Sequence, residues 1–247
     1  MTPSSKPFTI HTARTLMIAE LSQLLDHASY DQTYALAIEN NVTGKRTQAN
    51  RQRSYIALKK LYRFDPTYLP FVALAYFWSV TESTSRPFLA FQYALGHDYL
   101  LSESFPLVAH TPIGSMLSVA RFEANLSTQH PNLFTPITQY SIAKNLASSY
   151  KQVGYLTGKV KVFRIPIKPT LPVVIMAFLM AYLNGDRGEF LFQSQWVKAL
   201  EQDTENLHKF LILGSQKGWL TYQRAGLVIS ISFDPLLQQL SAHGHQN

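Results

Sequence analysis

Lysine and arginine are the residues of this chain whose placement carries the clearest chemical message. There are 22 of them against 15 Asp and Glu in 247 residues, a formal net charge of +7, which alone says only that polyanions are favoured partners. Between Asn40 and Phe64 seven basic residues (Lys45, Arg46, Arg51, Arg53, Lys59, Lys60, Arg63) are interrupted by no acid. Between Ala124 and Gly185 six more follow, again without an acid: Lys144, Lys151, Lys159, Lys161, Arg164 and Lys168. The rest of the chain holds nine bases and 15 acids. Two long acid-free basic segments suit a phosphate backbone, because each cation that neutralises a phosphate releases a condensed counterion. A merely solvated basic face is the competing account.

Other chemistry has little to stand on. There is no cysteine, which removes disulfides, thiolate zinc sites and thiol nucleophiles together and fits a reducing compartment. The eight histidines are scattered, and only His243 and His245 lie close together. Asp186 and Glu189, beside Arg187, have a spacing reminiscent of nucleases but no lysine at a useful position. The turn from Asn184 to Gly188 lacks the lysine and threonine of a phosphate loop, and no dinucleotide fingerprint, zinc-protease pair or nucleophile elbow occurs. The expectation is a protein without catalytic residues, metal or cofactor.

The elements that position these residues read as helices. Composition is 46% hydrophobic and 15% charged, as a packed globule requires. Apolar spacing predicts helices over Thr12–Leu25, Asp31–Glu39 and Thr47–Tyr62. In the last, Tyr55, Ile56, Leu58 and Leu61 are expected to pack inward while Arg51, Arg53, Lys59 and Lys60 face solvent. Core helices are expected over Leu69–Val80 and Arg86–Leu95. The stretch from Leu101 to Pro136 is rich in Pro and Gly around one short helix, Ser115–Leu126. A boundary near Ala124 divides the chain into an N-terminal helical domain, 1–124, and a C-terminal one, 125–247. Neither of the longest apolar runs, Leu69–Val80 and Pro172–Leu183, reaches bilayer length, and residues 1–8 carry no signal-peptide core, so a cytoplasmic protein without membrane contact is expected.

Within the C-terminal half, Gln152-Val153-Gly154-Tyr155-Leu156-Thr157 returns 64 residues later as Gln216-Lys217-Gly218-Trp219-Leu220-Thr221. Each copy ends a helix at a glycine and runs into a hairpin. In the first, Lys144, Ser148 and Lys151 lie on a helix whose Ile142, Leu146 and Tyr150 face inward. Lys159 to Ile165 then alternates Lys159 and Lys161 with Val160 and Val162, and Arg164 follows. Helix, glycine, aromatic and basic hairpin are the order of a winged helix-turn-helix, whose helix enters the major groove while its wing touches phosphates. The second hairpin, Leu227 to Phe233, is poor in charge and reads as structural or as a partner surface. Between the copies lie a helix Val173–Leu183 and an amphipathic helix Glu189–Leu200 bearing Phe190, Phe192 and Trp196. The expected fold is mainly α, many-helixed, in two subdomains, with two short winged-helix-like β-hairpins in the C-terminal half.

The basic helix with Arg51-Gln52-Arg53, the segment from Asn145-Leu146 to Gly154-Tyr155-Leu156, the run Gly185-Asp186-Arg187-Gly188 through Leu191, Ser194 and Trp196, and the stretch from Gly226 to Phe233 together resemble the BrxA family. Its members are small accessory proteins of BREX bacteriophage-exclusion systems. The resemblance covers most of the chain after about residue 8 and implies a helical fold, DNA binding and a role in phage defence. It carries over no catalytic residue. The expected function is a non-enzymatic component that binds double-stranded DNA, working with other BREX components such as a methyltransferase and an ATPase. The alternative is a docking subunit that presents Trp196, Trp219 and Tyr222 to such a partner and binds no DNA.

Overall fold

Apolar residues recurring every three to four positions make helices of most of this chain. A computed structural model describes residues 8–27, 34–226 and 228–244. Its first half holds α1 (Ile18–His27), α2 (Tyr34–Glu39), α3 (Gln48–Tyr62), α4 (Leu69–Ser79), α5 (Arg86–Leu95), α6 (Tyr99–Ala109) and α7 (Val119–Gln129). Then come α8 (Pro136–Val153), a hairpin of β1 (Leu156–Thr157) and β2 (Phe163–Arg164), α9 (Leu171–Leu183), α10 (Phe190–Gln193), α11 (Gln195–Lys198) and α12 (Thr204–Gln216). A second hairpin, β3 (Thr221–Ala225) with β4 (Val228–Ser232), precedes α13 (Asp234–Gly244). The fold is thus mainly α with two small antiparallel hairpins in the C-terminal half. Asp31, Leu227, His245 and residues 1–7 lie outside the described residues.

The chain forms two compact units, each assembled from three separate stretches. Unit 1 comprises residues up to Leu24, Ala35–Arg63 and Ala94–Pro166; unit 2 comprises Leu25–Tyr34, Phe64–Tyr93 and Ile167 onward. Both draw chain from either side of residue 124. In unit 1, α7 packs on α6 and α8. In unit 2, α9 is buried at every position from Val173 to Ala181 and is surrounded by α4, α10, α11 and α12.

Several elements depart from the sequence reading. The first helix begins at Ile18, because Met17 has φ 54° and residues 10–16 form a turn and extended segment. Helix α6 runs through Pro106 in a stretch expected to be irregular. Asp98 caps it by accepting from Leu101 N–H at 3.0 Å, and Leu100, Leu101, Ser104, Phe105 and Val108 bury one face; this packing outweighs the backbone hydrogen bond that proline removes. The helix expected over Glu189–Leu200 is two single turns, since Ser194 is extended (φ −64°, ψ 153°) and its hydroxyl caps the second by accepting from Val197 N–H. In α3 the buried positions are Ser54, Ala57, Leu58, Leu61 and Tyr62, a strict i, i+3, i+4, i+7, i+8 stripe. Ile56 lies off it and is 53% exposed.

Candidate nucleic-acid interface

Helix α8 is held at both ends. Thr135 Oγ1 accepts from Thr138 N–H, Pro136 occupies the first turn, and Gly154 closes the helix at φ 94° with Tyr155 N–H donating to Tyr150 O at 3.0 Å. Ile142, Ala143, Leu146, Ala147, Ser149 and Tyr150 are buried. On the opposite side Ile137, Tyr140 and Lys144 are exposed, and Ser148 and Lys151 are half-buried. Their spacing of three, four, four and three residues places all five along one stripe.

Around α8 the chain builds a winged helix. Phe163 pairs with Thr157 on one side and bridges to Met116 on the other. Leu117 N–H donates to Val162 O and Arg164 N–H to Ser115 O, both at 2.9 Å. The order is therefore α6, an isolated β-bridge at Met116, α7, α8, β1, a loop at 158–162 and β2. The two hairpin strands form a small sheet with the Met116 bridge at its edge and the loop as its wing.

The wing differs from the expected alternating strand. Residues 158–162 lie between the strands, and Val160 is 96% exposed while Val162 is buried. Gly158 dictates this: at φ +106° a Cβ would sit 2.1 Å from the Lys161 carbonyl oxygen, so only glycine allows the turn to close. Lys159 and Lys161 are both exposed in the turn. Arg164 does not join them. It is 1% exposed, and its guanidinium donates to the carbonyl oxygens of Val108 (3.1 Å), Tyr155 (3.2 Å) and Ile165 while lying over the Tyr155 ring. The expectation that it contacts phosphate is corrected accordingly: strand alternation puts residue 164 on the same side as Val162, and that side is buried.

All twelve sequence-predicted DNA-binding residues fall in unit 1. Arg46, Arg53, Lys59 and Lys60 are exposed and Arg51 is half-buried, on or just before α3, which Thr47 caps by accepting from Asn50 N–H. Lys45 is partly neutralised, its Nζ lying 2.6 Å from Glu20 Oε1. A polar cleft of about 340 Å³ joins the two basic elements; Arg14, Glu20, Lys45 and Ser54 line it with Asn145 and Gln152 of α8. Divided by unit, the sequence places 15 Lys and Arg against 5 Asp and Glu in unit 1, a balance of +10, and 7 against 10 in unit 2, a balance of −3.

Beneath the outward stripe, the structure reveals a constellation absent from the sequence reading. His11 Nδ1 lies 2.9 Å from Asp98 Oδ2, and His11 Nε2 lies 2.9 Å from Ser149 Oγ. The connectivity is that of a serine hydrolase triad, but the side chains of His11 and Asp98 are fully buried and Ser149 is 0% exposed. Ser149 Oγ accepts from Leu16 N–H at 3.1 Å, so it faces backbone where a nucleophile would face substrate. Thr9 Oγ1 and Ile10 N–H also donate to Asp98, and Asn145 Nδ2 donates to His11 O. The network is a clasp fastening residues 9–16 to α6 and α8. Burial pushes the Asp98 carboxyl up, but the charge and hydrogen bond of His11 and the N–H groups of Ile10 and Leu101 outweigh it, so its pKa lies below the ordinary 3.8. No local motif announces a network whose members are 87 and 138 residues apart.

The second helix and hairpin repeat the first in geometry. Gly218 has φ +73°, and Trp219 N–H donates to Gly214 O at 3.1 Å, matching Gly154 and the bond from Tyr155 to Tyr150. Trp219 and Leu220 are buried as Tyr155 and Leu156 are. Of the aromatic residues that the alternative reading presents to a partner, both tryptophans are buried and Tyr222 is half-buried. Trp196 is 5% and Trp219 8% exposed, and Trp219 Nε1 donates to Tyr76 Oη at 2.9 Å. Tyr222 Oη pairs with His208 Nδ1 at 2.8 Å.

No family model matches the chain, and no curated protein matches it. Among the described residues no group of three or more acidic or histidine side chains is placed to hold a metal ion, and no helix is long and apolar enough to cross a membrane.

Proposed function

We propose that this protein binds double-stranded DNA through unit 1, with α8 in the major groove and the 158–162 wing and α3 on flanking backbone. The observation that carries the reading is the outward stripe of α8, with Lys144, Ser148 and Lys151, followed by a lysine-bearing wing in a unit of balance +10. Lys144, Lys151, Lys159 and Lys161 supply phosphate contacts. Ile137 and Tyr140, exposed on the same stripe, stand at the N-terminal end of the helix, where side chains reach base edges and thymine methyl groups. The resemblance to the BrxA family supports placing this activity in a BREX-type phage-exclusion system, as a cytoplasmic, non-enzymatic component alongside a methyltransferase and an ATPase.

The test is fluorescence anisotropy with a labelled duplex at several salt concentrations, beside a single-stranded control. Wild-type protein is expected to prefer duplex, with a log-log salt slope of about −0.9 per phosphate contact. The pair Lys159→Glu and Lys161→Glu is expected to flatten that slope by about two contacts. An unchanged slope and affinity in that variant would remove the wing from the interface, and absence of duplex binding at low salt would overturn the reading as a whole.

A further inference from the structure

Val160 is the most exposed large hydrophobic residue among those described, at 96%. It stands in the wing between exposed Lys159 and Lys161, on a turn that Gly158 allows no other residue to make. Its side chain contributes nothing to the core of unit 1. Met116 and Phe163, which form a β-bridge beside the hairpin, are exposed as well. An aliphatic tip between two cations, with no acid from Ala124 to Gly185, is complementary to a surface that is anionic at its edges and apolar within.

The minor groove of DNA has that character. Its walls are sugars, its rims are phosphates, and where it narrows over A·T pairs its potential becomes more negative and attracts cationic side chains. Apolar side chains enter minor grooves and pack between or against base steps. Guanine alone places an amino group on the groove floor, which obstructs such a side chain and leaves a buried donor unpaired.

Resting on the duplex-binding reading above, we infer that the wing enters the minor groove, with Val160 packed against its floor and Lys159 and Lys161 on the two phosphate rims. The preferred substrate is then duplex DNA lacking the guanine amino group at the wing's position. This is a base preference exercised from the wing, separate from whatever α8 reads on the major-groove side.

The experiment compares three duplexes of one length, built from G·C, inosine·C and A·T pairs at the probed positions. Inosine keeps the N7 and O6 pattern of guanine in the major groove and lacks its minor-groove amino group. The full chain is expected to bind the inosine and A·T duplexes alike, about tenfold tighter than the G·C duplex. Val160→Ser, which keeps both lysines and the turn, is expected to reduce that preference to about twofold or less. Equal binding of the G·C and inosine duplexes would overturn the inference and leave duplex binding standing. A preference that survives Val160→Ser intact would overturn it too. Failure to bind any duplex would overturn the function on which it rests.

Discussion

Lys161 and Arg164 are three residues apart on one hairpin and have opposite surroundings. The arginine satisfies three backbone carbonyl oxygens beneath the wing, whereas the lysine is in solvent. Arg164→Met is therefore expected to destabilise unit 1 by about 3 kcal/mol, because the carbonyls are left buried without their donor. Urea unfolding followed by far-UV circular dichroism measures this. Lys161→Gln is expected to change stability by no more than about 0.5 kcal/mol and to weaken duplex binding. Both residues belong to the same acid-free segment and are grouped by their charge, yet three residues of extended chain put them on opposite faces, Arg164 on the buried side with Val162. Ile137 and Tyr140 have no part in the sequence reading, and only the packing of α8 reveals that they are exposed.

At the scale of elements, α8 owes its position to the Thr135 cap, the Gly154 close and the buried His11, Asp98 and Ser149 clasp. A carboxyl whose folded-state pKa is depressed contributes stability that is full above its unfolded value and is lost as the pH falls through the folded one. For Asp98 that loss begins as the pH falls below about 3.8. In unit 2, burial and then the charge of Arg224 lower the pKa of His208 from 6.5, outweighing Glu205. Neutral His208 is hydrogen-bonded to Tyr222 Oη, and unfolding frees it to take a proton. Stability of unit 2 is therefore full above about pH 6.5 and declines as the pH falls below it. Trp78, Trp196 and Trp219 all lie in unit 2, so tryptophan fluorescence reports that unit by itself. Acid titration is expected to show a fall in its unfolding midpoint below pH 6.5 that His208→Gln diminishes, with the Asp98-dependent loss appearing only near pH 4 and below in far-UV signal. Apolar spacing made α3 and α5 legible from sequence, and the glycine of the repeat marked the end of α12. They failed at α6, where Pro106 argued against a helix that burial sustains, and at Ser194, where one extended residue splits an apolar run.

For the molecule as a whole, the division of charge is the organising fact. Lys217→Glu with Arg224→Glu, on the second helix and hairpin, is expected to leave duplex affinity within about twofold, whereas Lys144→Glu with Lys151→Glu is expected to lower it at least about tenfold at moderate salt. Equal losses in the two variants, measured by the same anisotropy titration, would show that both units contact DNA. The repeat was legible because glycine and the following aromatic mark a helix end so distinctly. The assembly of each unit from three stretches was not, because apolar spacing identifies a buried face without naming its counterpart. That interleaving has a consequence for synthesis. Emerging from the ribosome, the chain has all of unit 1 in hand at Pro166, whereas unit 2 waits for everything after it. Helix α4, with Phe71, Phe77 and Trp78 on its buried side, must remain without α9 and α13 until the last third of the chain is made. The nascent protein thus passes through a stage in which its basic unit is complete and its most apolar early helix is uncovered. A chain stalled soon after residue 166 is expected to be a client for chaperones while already carrying its whole basic unit.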